Sequence, residues 1–270
     1  MKSIVVVKVG TSVLSENGKI DKGIIDSIAR QVSASIKEMG ISVVLVTSGA
    51  ILSGISLLGW NLRPRDLTLT QKQVSAAVGQ PILMKMYIDS FASYGITVAQ
   101  ILVTEEDLMI KNCYNNFIRT IKALLKLNIV PIINENDAVS VKELVNLNNK
   151  VRSEVQFGDN DRLSALIAKG IKANKLILLT DVDGVYIYEN NQRKLLSVIE
   201  ANDKGIYDSV DGMSEYGRGG IKSKLDAAFI ASSANIETYI VNGKRDDSII
   251  MTIRGKNIGT YIAPKGFINK

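Results

Sequence analysis

The stretch Ile4-Val5-Val6-Val7-Lys8-Val9-Gly10 decides the fold class. It is a near-continuous β-branched run without polar alternation, the mark of a parallel strand covered on both faces. Working outward, Ser42–Thr47, Thr97–Val103, Ile129–Asn134 and Lys175–Thr180 repeat the pattern. Helical stretches separate them at Lys22–Met39, Leu69–Tyr94, Lys111–Leu127 and Asn160–Gly170. Ile24, Ile28, Val32 and Ile36 recur at the spacing of one helix face. Gly40 and Gly170 read as the glycines that end two of these helices. Strand and helix in alternation predict an α/β protein, a three-layer αβα sandwich around a mainly parallel sheet.

The last hundred residues are less regular. Asn190-Asn191 signals a turn, Gly217–Gly220 is glycine-rich, and a helix is expected over about Lys222–Ala234. Strands are expected at Thr238–Val241, Ile249–Ile253 and near Ile258–Ile262. No repeat or long linker divides the 270 residues. One continuous domain with two lobes is expected, about 1–170 and about 171–270.

Composition narrows the chemistry. The chain has no His and one Cys, Cys113. A His-dependent nucleophile, a His-ligated metal, a disulfide within the chain and a thiolate zinc cluster are therefore excluded. Lysines, carboxylates, amides, hydroxyls and backbone N–H groups remain, a set suited to phosphoryl transfer, where positioning and charge stabilisation dominate. The net charge of +6 comes from 33 basic and 27 acidic residues. These are interspersed, with no nucleic-acid motif, so a surface matched to small anions is expected and no nucleic-acid partner. Lys8 and Gly10 interrupt the opening apolar run too early for a signal peptide, and no stretch is long enough to span a membrane. A cytoplasmic location and no membrane partner are expected.

Five segments carry candidate chemistry. Lys8 stands near the end of the first strand, where a buried ammonium must be paired or used unless it snorkels to water. Gly10, Thr11 and Ser12 follow, offering close backbone approach and hydroxyl donors to a phosphate. Thr47-Ser48-Gly49-Ala50 opens a helix, either as an anion site or with Ser48 as a plain N-cap. Asn134-Glu135-Asn136-Asp137 ends a strand in four polar residues, suited to an amino acid's ammonium and carboxylate, or forming an Asx-rich turn. Asp159-Asn160-Asp161 places two carboxylates before a helix, more than one cap requires; beside a phosphate site they would orient lysines or meet magnesium. Gly217-Arg218-Gly219-Gly220-Ile221-Lys222-Ser223-Lys224 is a glycine loop opening a helix, and it is neither a Walker A nor a protein-kinase loop.

In this order, and with Ala77-Val78-Gly79-Gln80 and Leu179-Thr180-Asp181-Val182-Asp183-Gly184-Val185-Tyr186, the segments resemble the glutamate 5-kinases of the amino-acid kinase superfamily. The resemblance spans essentially the whole chain. It implies MgATP-dependent phosphorylation of the γ-carboxylate of L-glutamate, the first step of proline synthesis, with glutamate on the first lobe and ATP on the second. Lys8 and Lys224 would flank the transferred phosphoryl, and Asp161 would orient them. Ser48, Asn134, Asp137, Asp159 and Asn160 would hold glutamate. Gly10, Thr11, Ser12, Thr180, Asp181, Arg218, Gly219, Gly220, Ile221, Lys222 and Ser223 would lie at the nucleotide, and no residue is assigned as a direct metal ligand. The resemblance also implies a homo-oligomer, dimer or tetramer, and L-proline as a feedback inhibitor. Arg218 and Ser223 replace threonines of the usual loop. Against that resemblance, a kinase domain alone is expected, without the C-terminal RNA-binding-like domain that many members of the family carry. Rival readings are N-acetylglutamate phosphorylation and a non-catalytic nucleotide or proline sensor.

Overall fold

The computed structural model describes residues 2–140, 160–189, 192–201, 203, 205–210 and 220–264. Its first strand, β1 (Ile4–Val9), pairs in parallel on both edges, with Lys8 opposite Val46 on one side and Leu178 on the other. Its valines are essentially inaccessible to solvent, as a run of β-branched residues between two helical layers should be. Alternate residues serve opposite cores. Val6 packs against one helical layer, and Val5, Val7 and Val9 against the other.

Two short strands, β2 (Ser15–Glu16) and β3 (Lys19–Ile20), form a hairpin after β1. Then follow β4 (Ser42–Val46), β5 (Val98–Val103), β6 (Val130–Glu135), β7 (Lys175–Thr180), the hairpin β8 (Tyr186–Glu189) and β9 (Gln192–Leu195), β10 (Val198–Glu200), β11 (Glu237–Asn242) and β12 (Thr260–Ala263). The main sheet has the order β10-β12-β11-β7-β1-β4-β6-β5. Neighbours are parallel except β11 and β12. The carboxyl ends of β1, β4, β6, β7 and β11 therefore open on one edge of the sheet. The chain leaves β1 toward β4 and later fills the other side with β7, so this edge holds a topological switch point, where open α/β sheets bind ligands.

The helices are α1 (Thr11–Leu14), α2 (Lys22–Met39), α3 (Ala50–Leu58), α4 (Leu69–Ala92), α5 (Glu105–Met109), α6 (Lys111–Lys126), α7 (Asn160–Ile171), α8 (Ile206–Ser209), α9 (Ile221–Ser232) and α10 (Ser248–Ile253). Apolar residues of α6, α7 and α9 cover the Val6 face, and those of α2 and α4 cover the other. The αβα sandwich expected from the sequence is the fold observed. Helix α2 ends as expected at Gly40, whose left-handed backbone (φ 63°) returns its N–H to the Ile36 carbonyl.

Two local expectations are corrected. Gly170 lies inside α7 rather than ending it; a Cβ there would stand 2.4 Å from the Tyr114 hydroxyl and 2.5 Å from Ile118, so the glycine admits α6. Ile249–Ile253 is helical, within α10, not a strand. Its β-branched residues suggested extension, but Ser248, Ile249 and Thr252 are the buried set, at helical spacing against α2. Gln31 accepts the Ile249 N–H and Arg30 pairs with Asp247, fastening that helix start to α2. The Asn190-Asn191 turn lies outside the described residues, between the paired residues Glu189 and Gln192.

Candidate active site

The switch-point edge brings three charged side chains together. Lys8 shares the sheet face of Val6, toward α7 and α9. Asp161 stands in the first turn of α7 and Lys224 in the first turn of α9. Lys8 Nζ lies 2.8 Å from Asp161 Oδ1, and Lys224 Nζ lies 3.1 Å from Asp161 Oδ2. Lys8 and Lys224 are 4% and 7% exposed and Asp161 is fully buried, so Lys8 does not snorkel to water. Burial alone would raise the Asp161 carboxyl; the charges of Lys8 and Lys224, with their hydrogen bonds, hold it below the ordinary carboxylate value. The carboxylate thus stays ionised and fixes the direction of two ammonium groups.

A second group meets at the ends of β4 and β6. The Asn160 amide donates from Nδ2 toward the Thr47 carbonyl and Ser48 Oγ, both at 2.9 Å, and Asn134 Oδ1 at 3.0 Å. Asn134 Oδ1 also accepts the Glu135 N–H, and Asn134 Nδ2 donates to Gln80 Oε1 at 2.9 Å. Ser48 is not the N-cap of α3. Gly49 is, with φ 106°, a left-handed backbone that favours glycine, and a Cβ there would come within 2.9 Å of Ile20. Asn160 Oδ1 is buried without a hydrogen-bond partner among the described residues, an acceptor beside the charged triad.

Beside this network opens a cleft of about 180 Å³. Helix α4 forms one wall through Ala77, Gln80 and Pro81; the end of β6 and the segment after it form another through Glu135 and Asp137. Helix α4 also shapes that segment, because Gln73 donates to the Ser140 carbonyl while Ser140 Oγ donates to Glu135.

Other expected residues lie on the same sheet edge. Gly10 caps α1, and a Cβ on it would touch Lys8 Nζ at 3.4 Å, so the glycine keeps space beside that ammonium. Thr11 and Ser12 lie in α1. Thr180 ends β7, and its hydroxyl lies 3.3 Å from the Asp181 carboxylate. Gly220 is the N-cap of α9, and Ile221, Lys222 and Ser223 form its first turn with Lys224. Asp159, Arg218 and Gly219 lie outside the described residues.

The profile of the amino acid kinase family matches residues 3–242. This chain belongs to that family. A glutamate 5-kinase from Clostridium tetani is 40% identical over 264 residues, covering 95% of this chain and 93% of the relative. One from Thermus thermophilus is 40% identical over 259 residues, covering 95% of this chain and 66% of the relative. Two solved structures share the fold. UMP kinase from Ureaplasma parvum superposes with a TM-score of 0.63 at 16% identity, covering 97% of this chain and 99% of that one. Carbamate kinase from Giardia lamblia bound to AMP-PNP gives 0.65 at 17%, covering 98% and 99%. Among the described residues of this amino acid kinase, no helix is long and apolar enough to cross a membrane.

Two features of the site escape sequence reasoning. Gly79-Gln80 stands out there as part of a motif, with no role for Gln80. The buried hydroxyl pair Thr47–Tyr87, at 2.9 Å, is the other. A lone glycine within a long helix was the available signal, since it marks close backbone approach. A Cβ on Gly79 would stand 1.9 Å from the Ala50 carbonyl oxygen and 2.3 Å from Gly54 N, where α3 crosses α4.

Proposed function

We propose that the chain transfers the γ-phosphoryl of ATP to the γ-carboxylate of L-glutamate, giving ADP and L-glutamyl 5-phosphate, the first step of proline synthesis. The observation that carries this is near-full-length identity of 40% to a protein named glutamate 5-kinase. Supporting it is a buried cation pair on one carboxylate, next in sequence to an amide chain that runs from Asn160 through Asn134 to Gln80 in the wall of a largely apolar cleft edged by Glu135 and Asp137.

In this reading a glutamate carboxylate oxygen attacks the γ-phosphorus. The new P–O bond forms as the bond to the β,γ-bridging oxygen breaks, and ADP leaves with that electron pair. The nucleophile arrives ionised, so no general base is needed. Lys8 and Lys224, preorganised by Asp161, stabilise charge on the transferring oxygens. Ser48, Asn134, Asp137, Asp159 and Asn160 hold glutamate on the first lobe, about 1–170. Gly10, Thr11, Ser12, Thr180, Asp181 and the glycine-rich stretch Arg218–Ser223, which runs into the first turn of α9, receive the nucleotide, chiefly on the second lobe, about 171–270.

Magnesium belongs to the proposal as the partner of the ATP phosphates. The described residues include no cluster of three or more carboxylate or thiol ligands, and Asp161 is engaged by two lysines. They do not build a protein cage for the ion, so no catalytic step is assigned to it. Inhibition by L-proline, self-association as a dimer or tetramer and a cytoplasmic location complete the reading.

The test is formation of a hydroxylamine-trappable acyl phosphate from ATP and L-glutamate. Product from N-acetylglutamate or another carboxylate instead, with none from glutamate, would reject the substrate. Nucleotide binding without turnover would favour the sensor reading.

A further inference from the structure

The amide chain has a direction, and backbone groups set it. At one end the Thr47 carbonyl can only accept, so Asn160 must turn its Nδ2 toward it. In the middle the Glu135 N–H can only donate, so Asn134 must present Oδ1 to it, and Asn160 Nδ2 points at that same oxygen. Asn134 Nδ2 then faces Gln80, which must answer with Oε1. That bond is the one hydrogen bond of the Gln80 side chain among the described residues. Its Nε2 group is left as a donor on a residue that lines the cleft.

The cleft supplies complementary groups. Pro81 follows Gln80 inside α4 and has no N–H, so the Ala77 carbonyl lacks its helical donor; both residues line the cleft. Glu135 and Asp137 stand on the facing wall. Carboxylates and a carbonyl suit an ammonium, whereas the Gln80 N–H suits a carboxylate. Together they match the two charges on the α-carbon of a free amino acid.

We propose that Gln80 is a substrate-binding residue whose Nε2 donates to the α-carboxylate of the amino-acid substrate in this cleft. This rests on the function proposed above and deepens it, because it separates amino acids with a free α-carboxylate from those without one.

The experiment compares wild type, Gln80→Glu and Gln80→Met, using L-glutamate and its α-carboxamide, with kcat and KM measured separately and L-glutamate binding followed by calorimetry. Gln80→Glu keeps an acceptor for Asn134 but turns a second carboxylate oxygen to the cleft. Its KM and Kd for L-glutamate should rise about ten- to a hundred-fold, the range for one hydrogen bond to a charged group, with kcat within about threefold. Its preference for L-glutamate over the α-carboxamide should fall by at least about tenfold. Gln80→Met should raise KM for L-glutamate while changing the α-carboxamide less. Unchanged KM, loss of kcat alone, or equal losses on both substrates would overturn the assignment and leave Gln80 acting only through Asn134. A wild-type protein that neither binds nor phosphorylates L-glutamate would overturn the functional reading as well.

Discussion

Lys8 Nζ and Asp161 Oδ1 stand 2.8 Å apart where neither side chain is more than 5% exposed. An ion pair this deep is a mutual dependence: removing one partner leaves the other charged and desolvated. Asp161→Asn should therefore lower kcat by about 10²–10³-fold, because the lysines lose their aim. It should also destabilise the fold by about 3–5 kcal/mol. Calorimetry and the acyl-phosphate assay measure the two effects; wild-type turnover in this variant would refute the orienting role.

The same carboxylate sets an acid response. Its folded pKa is depressed below the ordinary 3.8, so its contribution is fully present above that value and is lost as pH falls through the folded pKa. The melting-temperature gap between wild type and Asp161→Asn should thus be wide at neutral pH and should narrow below pH 3.8. A gap that stayed constant into stronger acid would show that the ionised form contributes nothing to stability.

Lys8→Met and Lys224→Met should each reduce kcat by about 10²–10³-fold if each acts as one preorganised donor. The binding cleft lies on the α4 side of the amide chain, so L-glutamate affinity by calorimetry should change much less. A loss confined to glutamate binding in either variant would place that lysine in the wrong half of the site.

Gly79→Ala tests how the helix crossing supports the cleft. The added methyl has no space between the Ala50 carbonyl and Gly54. Overpacking should destabilise by about 1–3 kcal/mol and displace the neighbouring Gln80. The expected result is a lower melting temperature together with a higher KM for L-glutamate. An unchanged KM would separate the crossing from substrate binding.

Tyr87→Phe removes a fully buried hydroxyl from Thr47, whose carbonyl accepts from Asn160. Stability should fall by about 1 kcal/mol, the usual value of one buried hydrogen bond. Equilibrium denaturation measures this, and no loss would mean that Thr47 is held adequately by its neighbours.

Much of this arrangement is legible in the chain itself. Continuous β-branched runs locate the parallel strands because burial on both faces removes polar alternation. A lysine inside such a run marks a candidate because a buried ammonium must be paired or used, but only the burial of Lys8 excludes a side chain that snorkels to water. Gln80 is not legible, since a glutamine on a helix signals nothing until its amide is seen facing Asn134. Ile249–Ile253 misleads because its β-branched content outweighs the helical spacing of Ser248, Ile249 and Thr252. Gly170 misleads because a glycine near a helix end can either terminate it or admit a neighbour, and here it admits α6.

The position of β1 in the sheet has a consequence for biosynthesis. Strand β1 leaves the ribosome before its neighbours, yet it sits in the middle of the sheet, flanked by β4 and β7. After Val46 emerges, the β7 edge of β1 must wait for a partner that ends only at Thr180. At about 5–20 residues per second, roughly seven to twenty-seven seconds of elongation separate the two. During that interval the nascent chain carries an open, highly apolar strand edge, a template for pairing with other chains. Nascent chains stalled before β7 should accordingly bind chaperones or aggregate, while those stalled beyond β12 should resist protease. Equal protease resistance at both stall points would show that the first half folds without its missing edge.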